Sequence, residues 1–560
     1  MKTDLYKYKT EPFEHQVEAV KFVSSHPFNF GLFMEQGTGK TKTTIDIVEN
    51  LYLAGAIKQV LIIAPNGVHR QWGKDYVSPK DMGEIVAHGF VPSTRFVWHS
   101  NKKNVAKLTT WMQSEPDKLH YLCVNVEAFS GHTYVSLFRQ FLMYAKTYII
   151  VDEATSIKNP DANRTDNIIH GLADCHYVGK RLRDYEPYSV GRAILTGTPE
   201  AKGPYGLWSM LEFVQKDFWG MNYYAFKARY GIERQVYFPG MLRPVRKSLA
   251  PEDFKAIRTK HNDEKMSASE IAIELGMAEG DVQYIIDNPA INTPYKNLND
   301  LRERLSKIAF TVRKKDCLDL PEKLYEVVEV PMSEEQLRLY KEIKKTAYAL
   351  YKDHALDAAN QVSIRLRLRQ IAGGFFPAKY DLSEGVEQEL EHTTGMPIGT
   401  PPKAVALAER LENHTESLPA IVACAFTAEV YYLEAFLKKK DYKVGVITGK
   451  VSKNDRAKIE DAFKAGELDV LVAQTSTIAK GYNFQISNTI YIYSNTYATE
   501  DRMQLEDRIH RYGQTRTCTY VDLIAQDAPV DRHVLDVIQG DTQFQEYMRS
   551  TDPTDFLKVI

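Results

Sequence analysis

The sequence predicts an α/β protein of two similar units, each a parallel sheet covered by helices, with helical insertions. Three observations carry this. Short apolar runs alternate with helix-period segments up to about residue 215, and the same rhythm returns after residue 418. The chain's 560 residues also exceed what one hydrophobic core usually supports.

In chain order, the first unit's runs are VLIIAP (60–65), YLCVNV (121–126), YIIVDE (148–153) and AILTGT (193–198). Runs this short, rich in Val and Ile and followed by polar turns, read as parallel strands buried on both faces. Residues 220–310 lack strand-like runs and carry charged, helix-period patterns, so a helical insertion is expected at about 220–300. A second helical segment is expected over 332–375, which includes SEEQLRLYKEIKKTAYALYK. The polar, turn-rich stretch 376–402 reads as a surface loop. AIVACAF, KVGVITG, DVLVAQT and TIYIYS then supply the strands of the second unit. The expected division is 1–325 and 326–560.

The 71 basic and 73 acidic side chains leave a formal charge of −2. A polyanionic partner would therefore be held by a local basic cleft and not by the field of the whole molecule. Five cysteines, Cys123, Cys175, Cys317, Cys424 and Cys518, are widely spaced with no C-x-x-C pair, which argues against a disulfide framework or a zinc site. No signal peptide and no membrane span is visible, so the expectation is a soluble protein of a reducing, cytoplasmic compartment.

MEQGTGKT (34–41) satisfies the second half of the phosphate-loop pattern G-x-x-x-x-G-K-[ST], with Met34 at the first glycine position. Gly37 and Gly39 supply flexible backbone around Thr38, Lys40 would reach the β and γ phosphates, and Thr41 would hold Mg²⁺. The following helix presents its first amides to the anion. A glycine-rich turn ahead of a helix is the plain alternative.

YIIVDEAT ends an apolar strand in Asp152 and Glu153. An aspartate there can hold the Mg²⁺ shell, and the adjacent glutamate can orient the attacking water. Far along the chain, MQLEDRIHRYGQTR places Gln504, Arg508 and Arg511 at i, i+4 and i+7, on one face if the segment is helical. Two arginines aimed at one place suit the spread charge of a phosphoryl transition state. A solvated basic helix face is the alternative.

The ordered set EHQ, MEQGTGKT, IIAPNGVHRQW, VDEATSIKN, LTGTPEAKGPYGLWSML, QTSTIAKGYNF and QLEDRIHRYGQ resembles the motor of helicase superfamily two, in its Swi/Snf-type branch. FTVRKKDCLDLPEKLYEVVEVPMSEEQLRLY is similar to that family's stretch between lobes, and LRLRQIAGG further on is family-like as well. Departures are DEAT in place of DEAH, Lys480 in place of a small residue, and no Trp-Asn-Pro in SNTYATEDRMQ. Family members often lack the first Walker glycine, so Met34 is a family-like variation.

The resemblance implies two RecA-like lobes, ATP and Mg²⁺ as the bound groups, and double-stranded or branched DNA as the partner. It implies that Gln16 reads adenine, that Lys40, Thr41, Asp152 and Glu153 serve phosphate, metal and water, and that Gln504, Arg508 and Arg511 complete the site on lobe closure. Pro65, Thr196 and Thr198 would couple hydrolysis to DNA in the first lobe, with Thr475, Ser476 and the nucleotide-sensing Gly481 in the second. A strand-separating or RNA-directed helicase and a silent DNA-binding scaffold remain the alternatives. A bacterial or phage origin is the accompanying expectation.

Lys265–Asp287, KMSASEIAIELGMAEGDVQYIID, has a helix ending at Leu275, a turn at Gly276 and a second helix with Val282, Ile285 and Ile286 apolar. That layout is similar to a helix-turn-helix unit; a plain helical hairpin is the alternative. The basic clusters at 180–183, 313–315 and 438–443 could line a phosphate track or be solvated faces. Trp72 and Trp208, inside motif helices, read as core residues, with base-stacking platforms the alternative.

Overall fold

Val60 and Ile62 enter one hydrophobic cluster while Leu61 and Ile63 enter another, so the two faces of the strand that carries them are both covered. That is why its sequence is uniformly apolar. The computed structural model describes residues 6–25, 28–77, 82–178, 181–197, 199, 203–236, 244–249, 251–289, 291, 293–352, 358–376, 396–479 and 481–549. The chain forms two units, one running up to Cys317 and taking in the segment from Gln543 on, the other Leu318–Thr542.

In the first unit the strands are β1 Asn29–Met34, β2 Gln59–Ala64, β3 Ser93–Val97, β4 Leu119–Asn125, β5 Thr147–Asp152, β6 Ala173–Val178, β7 Arg181–Pro187, β8 Gly191–Thr196, β9 Glu233–Val236, β10 Val245–Ser248 and β11 Ala309–Val312. Among the described residues, seven of them form one sheet in the order β11-β1-β8-β5-β2-β4-β3, with parallel pairing throughout. The four expected strands are β2, β4, β5 and β8. One face packs on the helices Val135–Tyr144 and Gly206–Val214, the other on Glu14–Ser25 and Lys40–Leu53.

The insertion departs from the expectation of helices alone. β9 and β10 pair as an antiparallel hairpin, and β11 is the parallel edge strand beside β1. A further antiparallel hairpin, β6 with β7, lies outside the main sheet. The helices Pro251–Asn262, Ala268–Leu275 and Glu279–Asp287 share a small core with Ile232 and Leu249 around Phe254, Ile271, Val282 and Ile285. Ser267 and Glu270 close a capping box on the second of these helices, and Gly276 ends it at φ +65°.

The second unit contains β12 Lys323–Val330, β13 Phe375–Phe376, β14 Met396–Pro397, β15 Ala420–Cys424, β16 Val444–Ile447, β17 Val470–Gln474, β18 Thr489–Ile492 and β19 Cys518–Ala525. Among the described residues, six form a parallel sheet in the order β12-β19-β18-β15-β17-β16. β12 pairs with β19 along its whole length, so position 325 falls inside a strand of this unit. The expected helical segment is present as Glu334–Lys352 and Ala358–Ala372. Of the expected loop 376–402, residues 377–395 lie outside the described residues; β14 pairs with β13, and Pro402 opens a helix. Among the described residues, no helix is long and apolar enough to cross a membrane.

Candidate nucleotide site

The C-terminal ends of three adjacent strands meet in the first unit. Phe33 of β1 is in register with Thr196 of β8, and Leu195 of β8 with Asp152 of β5. Loops leaving such neighbouring ends share one crevice, the usual ligand position in an open parallel sheet.

From β1 the chain turns through Gly37 (φ +83°) and Gly39 (φ +84°) into the helix Lys40–Leu53. A Cβ on Gly39 would lie 2.0 Å from Nε2 of Gln16, so the backbone angle calls for glycine there and an added side chain would displace the Gln16 amide. Nε2 of Gln16 donates to the Thr38 carbonyl at 3.2 Å, and Nε2 of His15 donates to the same oxygen at 2.8 Å. Oε1 of Gln16 accepts from Phe13 N at 3.0 Å. Phe13 is exposed and stacks on His15 with ring centroids 5.7 Å apart. The helix that begins at Lys40 has Gly39 as its N-cap, with no side-chain cap hydrogen bond, and a helix start of this kind directs its amides toward an anion.

Lys40 is buried, and its Nζ donates to the carbonyls of Met34 at 2.8 Å and Glu35 at 3.4 Å. Thr41 is half-buried in the first turn of the same helix. Glu35 accepts from Lys314 N at 2.8 Å, which ties the loop to the chain just after β11.

Asp152 is buried at the end of β5. Its Oδ2 accepts from Trp72 Nε1 at 2.8 Å and its Oδ1 from Glu153 N at 2.9 Å. Burial holds this carboxyl above the ordinary aspartate range, opposed by the Trp72 hydrogen bond and the Lys40 charge. Glu153 sits at φ +51°, an uncommon conformation for a glutamate, and its Oε1 accepts from Gln36 Nε2 at 3.4 Å. A Thr hydroxyl and a carboxylate form an all-oxygen donor set of the kind Mg²⁺ takes, so Thr41 and Asp152 fit that ion.

Thr196 is buried at the end of β8, and Pro65 follows β2 with its carbonyl accepting from His69 N at 3.2 Å. Thr198 and Lys480 lie outside the described residues.

In the second unit the helix with Gln504 ends at Glu506. Arg508 and Arg511 therefore occupy the turns beyond it, and the expectation of one continuous helix face is corrected. They converge by another route. Nη1 of each donates to the Tyr482 carbonyl, at 3.1 Å from Arg508 and 3.3 Å from Arg511. Gly481, at φ +81°, immediately precedes that carbonyl's residue. Nε of Arg508 also donates to the Gln504 carbonyl at 2.9 Å, and Phe484 N donates to the Arg508 carbonyl at 3.0 Å. Thr475 Oγ1 donates to the Cys424 carbonyl at 3.3 Å, while Ser476 is exposed.

Three residues near these sites carried no functional assignment in the sequence, Trp72 having read only as a core residue. Trp72 holds Asp152, His15 shares the Thr38 carbonyl, and Gln514 donates to the carbonyls of Gln485 at 3.0 Å, Ser487 at 2.9 Å and Ile509 at 3.2 Å, pinning the turn that follows Arg508. No spacing rule reports such contacts, because each joins segments distant in sequence or depends on an irregular turn. Of the basic clusters, Lys314 is buried, Arg313 pairs with Asp316, and Lys438 and Lys440 pair with Glu434 and Glu412. The side chains of 180–183 lie outside the described residues.

The SNF2-related domain model matches residues 15–373, and the helicase conserved C-terminal domain model matches residues 402–513. Among curated proteins, the chain is 23% identical to the SWI/SNF chromatin-remodeling complex subunit snf22 of Schizosaccharomyces pombe, over 90% of this chain and 26% of that protein. It is 22% identical to the nuclear protein STH1/NPS1 of Saccharomyces cerevisiae, over 92% of this chain and 33% of that protein. The chain thus spans between about a quarter and a third of the length of these relatives. A solved structure titled Sulfolobus solfataricus SWI2/SNF2 ATPase core in complex with dsDNA aligns with 99% of this chain and 98% of its own at 18% identity, with a TM-score of 0.37.

Proposed function

The chain belongs to the SNF2-related family, and from that premise we propose that it is a DNA-dependent ATPase that moves along double-stranded DNA. Its task would lie at forks, recombination intermediates or DNA-bound proteins, in the reducing cytoplasm of a prokaryotic or phage-infected cell. The observation that supports this best is the convergence, on adjacent strand ends, of the Gly37–Lys40 loop, the Asp152–Glu153 pair and Thr196.

In this reading Gln16 reads the adenine edge, and the amides around Gly37, Thr38 and Gly39 cradle the phosphates. Lys40 exchanges its two carbonyl partners for β and γ phosphate oxygens. Thr41 and Asp152 would hold Mg²⁺, Asp152 through water, and the ion when bound neutralises charge on the phosphates. Glu153 orients the attacking water. Gln504, Arg508 and Arg511 come from the second unit to the same phosphates, so turnover requires the two units to close. Pro65, Thr196, Thr198, Thr475 and Ser476 carry strand contact or coupling, and Gly481 senses nucleotide. Grip on the phosphates conveys no sequence information and weakens with salt.

The test is steady-state ATP hydrolysis with no nucleic acid, single-stranded DNA, linear duplex, branched DNA and RNA at one low salt concentration, with Lys40→Ala as control. Stimulation by duplex or branched DNA, lost in the variant, is expected. Stimulation by single strands or RNA alone would make the chain a strand-directed helicase, and no hydrolysis at all a silent scaffold.

A further inference from the structure

Trp72 lies on the short helix Val68–Gly73, which follows β2 and packs against β4 and β3. Its indole is almost fully buried, at 1% exposure, and its N–H is spent on Asp152 at 2.8 Å. The carboxylate at the end of β5 is thereby held from two sides, Oδ2 by the indole and Oδ1 by the amide of Glu153. An aspartate's terminal torsion is otherwise broad and two-fold, and two donors at fixed positions select one setting of it.

The helix that delivers the indole is itself fixed. A Cβ on Gly73 would lie 2.7 Å from Val97 Cγ2 and 3.0 Å from Cys123 Sγ, so glycine lets this end of the helix lie directly on β3 and β4. Its other end starts at Gly67 (φ +97°), after Pro65 and the exposed Asn66, and Arg70 Nη2 donates to Asn66 Oδ1 at 3.3 Å. One helix of six residues, about 9 Å long, therefore joins a solvent-facing turn to a buried carboxylate.

We propose that Trp72 is a positioning residue for ATP hydrolysis: it sets the orientation of Asp152, and through it the helix Val68–Gly73 links the Pro65–Gly67 turn to that carboxylate. This rests on the reading of Asp152 as the magnesium-side carboxylate and of Pro65 as part of the DNA-facing surface. A nucleic-acid strand that shifts the turn shifts the indole, and the indole has one acceptor.

The experiment uses Trp72→Phe in the full chain, with the shape-preserving replacement of Trp72 by β-(3-benzothienyl)alanine, which lacks the N–H. Binding of a fluorescent ADP analogue is titrated with Mg²⁺ and repeated in excess chelator. Both replacements are expected to raise the half-saturating Mg²⁺ concentration by about 10- to 100-fold, the usual cost of losing an outer-shell partner, with affinity in chelator unchanged. kcat falls while the KM for ATP holds, and the ratio of duplex-stimulated to basal turnover falls too. In an Asp152→Asn background the loss of the N–H has no further effect on the Mg²⁺ titration. Wild-type Mg²⁺ dependence and stimulation in either replacement would overturn the proposal alone. Absence of hydrolysis in the wild-type chain would overturn the functional reading beneath it.

Discussion

Arg508 and Arg511 donate to the same main-chain oxygen, the carbonyl of Tyr482, at 3.1 and 3.3 Å. Two guanidinium groups on one acceptor bring together like charges that would otherwise repel, an arrangement that would suit the spread anion which the proposed function assigns to the pair. Arg511 is the cleaner probe, because Arg508 is buried and also holds the Gln504 carbonyl. Arg511→Ala is expected to lower kcat by about 10³-fold or more, the scale of an arginine finger. ATP affinity and unfolding midpoint should stay near wild type. A fall in affinity with kcat preserved would move Arg511 from the reaction to ground-state binding.

Gly39 and Gly481 share a positive φ but differ in surroundings. A Cβ on Gly39 meets Gln16 Nε2 at 2.0 Å, whereas one on Gly481 meets nothing within 4 Å. Gly481→Ala is therefore expected to cost only the backbone term, about 1–2 kcal/mol. Gly39→Ala adds displacement of Gln16 from the Thr38 carbonyl and should abolish nucleotide binding. Urea midpoints and nucleotide titration of the two variants separate the effects; equal binding defects would refute the role given to Gln16.

The parallel strands were legible because a strand buried on both faces must be apolar at every position, as in Val60–Ala64. The phosphate loop was legible because its glycines and lysine are local in sequence. β11 was not: Ala309–Val312 is four residues on a sheet edge, directly after a helix, and its burial alternates irregularly. β12 alternates exposed and half-buried residues for the same reason, and Leu324 and Tyr325 stay exposed. The end of the helix at Glu506 was invisible too, because Asp507–Arg511 continues a helix-compatible composition while Gln514 and Tyr482 bond the chain into turns. Trp72 read correctly as a core residue, but its hydrogen bond joins positions 80 apart and has no local signature.

The helix-turn-helix-like unit is present as geometry, yet the outward residues of its second helix are Glu279, Gln283 and Asp287, with Gln283 donating to Asp287 at 2.8 Å. Asp281, near the helix start, is buried and paired with Lys296. A helix lying in a major groove presents donors to bases and phosphates, and this face presents carboxylates. Glu279→Gln combined with Asp287→Asn is therefore expected to leave duplex affinity and its salt slope unchanged, within about twofold. A larger gain in affinity would show that this face meets DNA.

The burial of Glu429 predicts a pH dependence of stability whose sign follows from its raised carboxyl. It lies fully buried in the first turn of the helix Thr427–Lys438, where Oε2 accepts from Ser494 Oγ and Phe426 N. Burial pushes its carboxyl from 4.5 up to about 7, against the Ser494 and Phe426 hydrogen bonds and the charges of Lys403 and Arg369. The folded state thus binds a proton that the unfolded state has already released at pH 6, and stability falls with rising pH wherever that holds. The contribution is fully present below about pH 4.5 and is lost as pH rises through about 7. A shift of this size corresponds to about 3 kcal/mol, and water entering the second unit would reduce it. Glu429→Gln stays neutral throughout, so its urea midpoint should exceed that of the wild type at pH 8 and not at pH 4. Parallel pH profiles for the two proteins would mean that Glu429 ionises in the folded chain as readily as in the unfolded one.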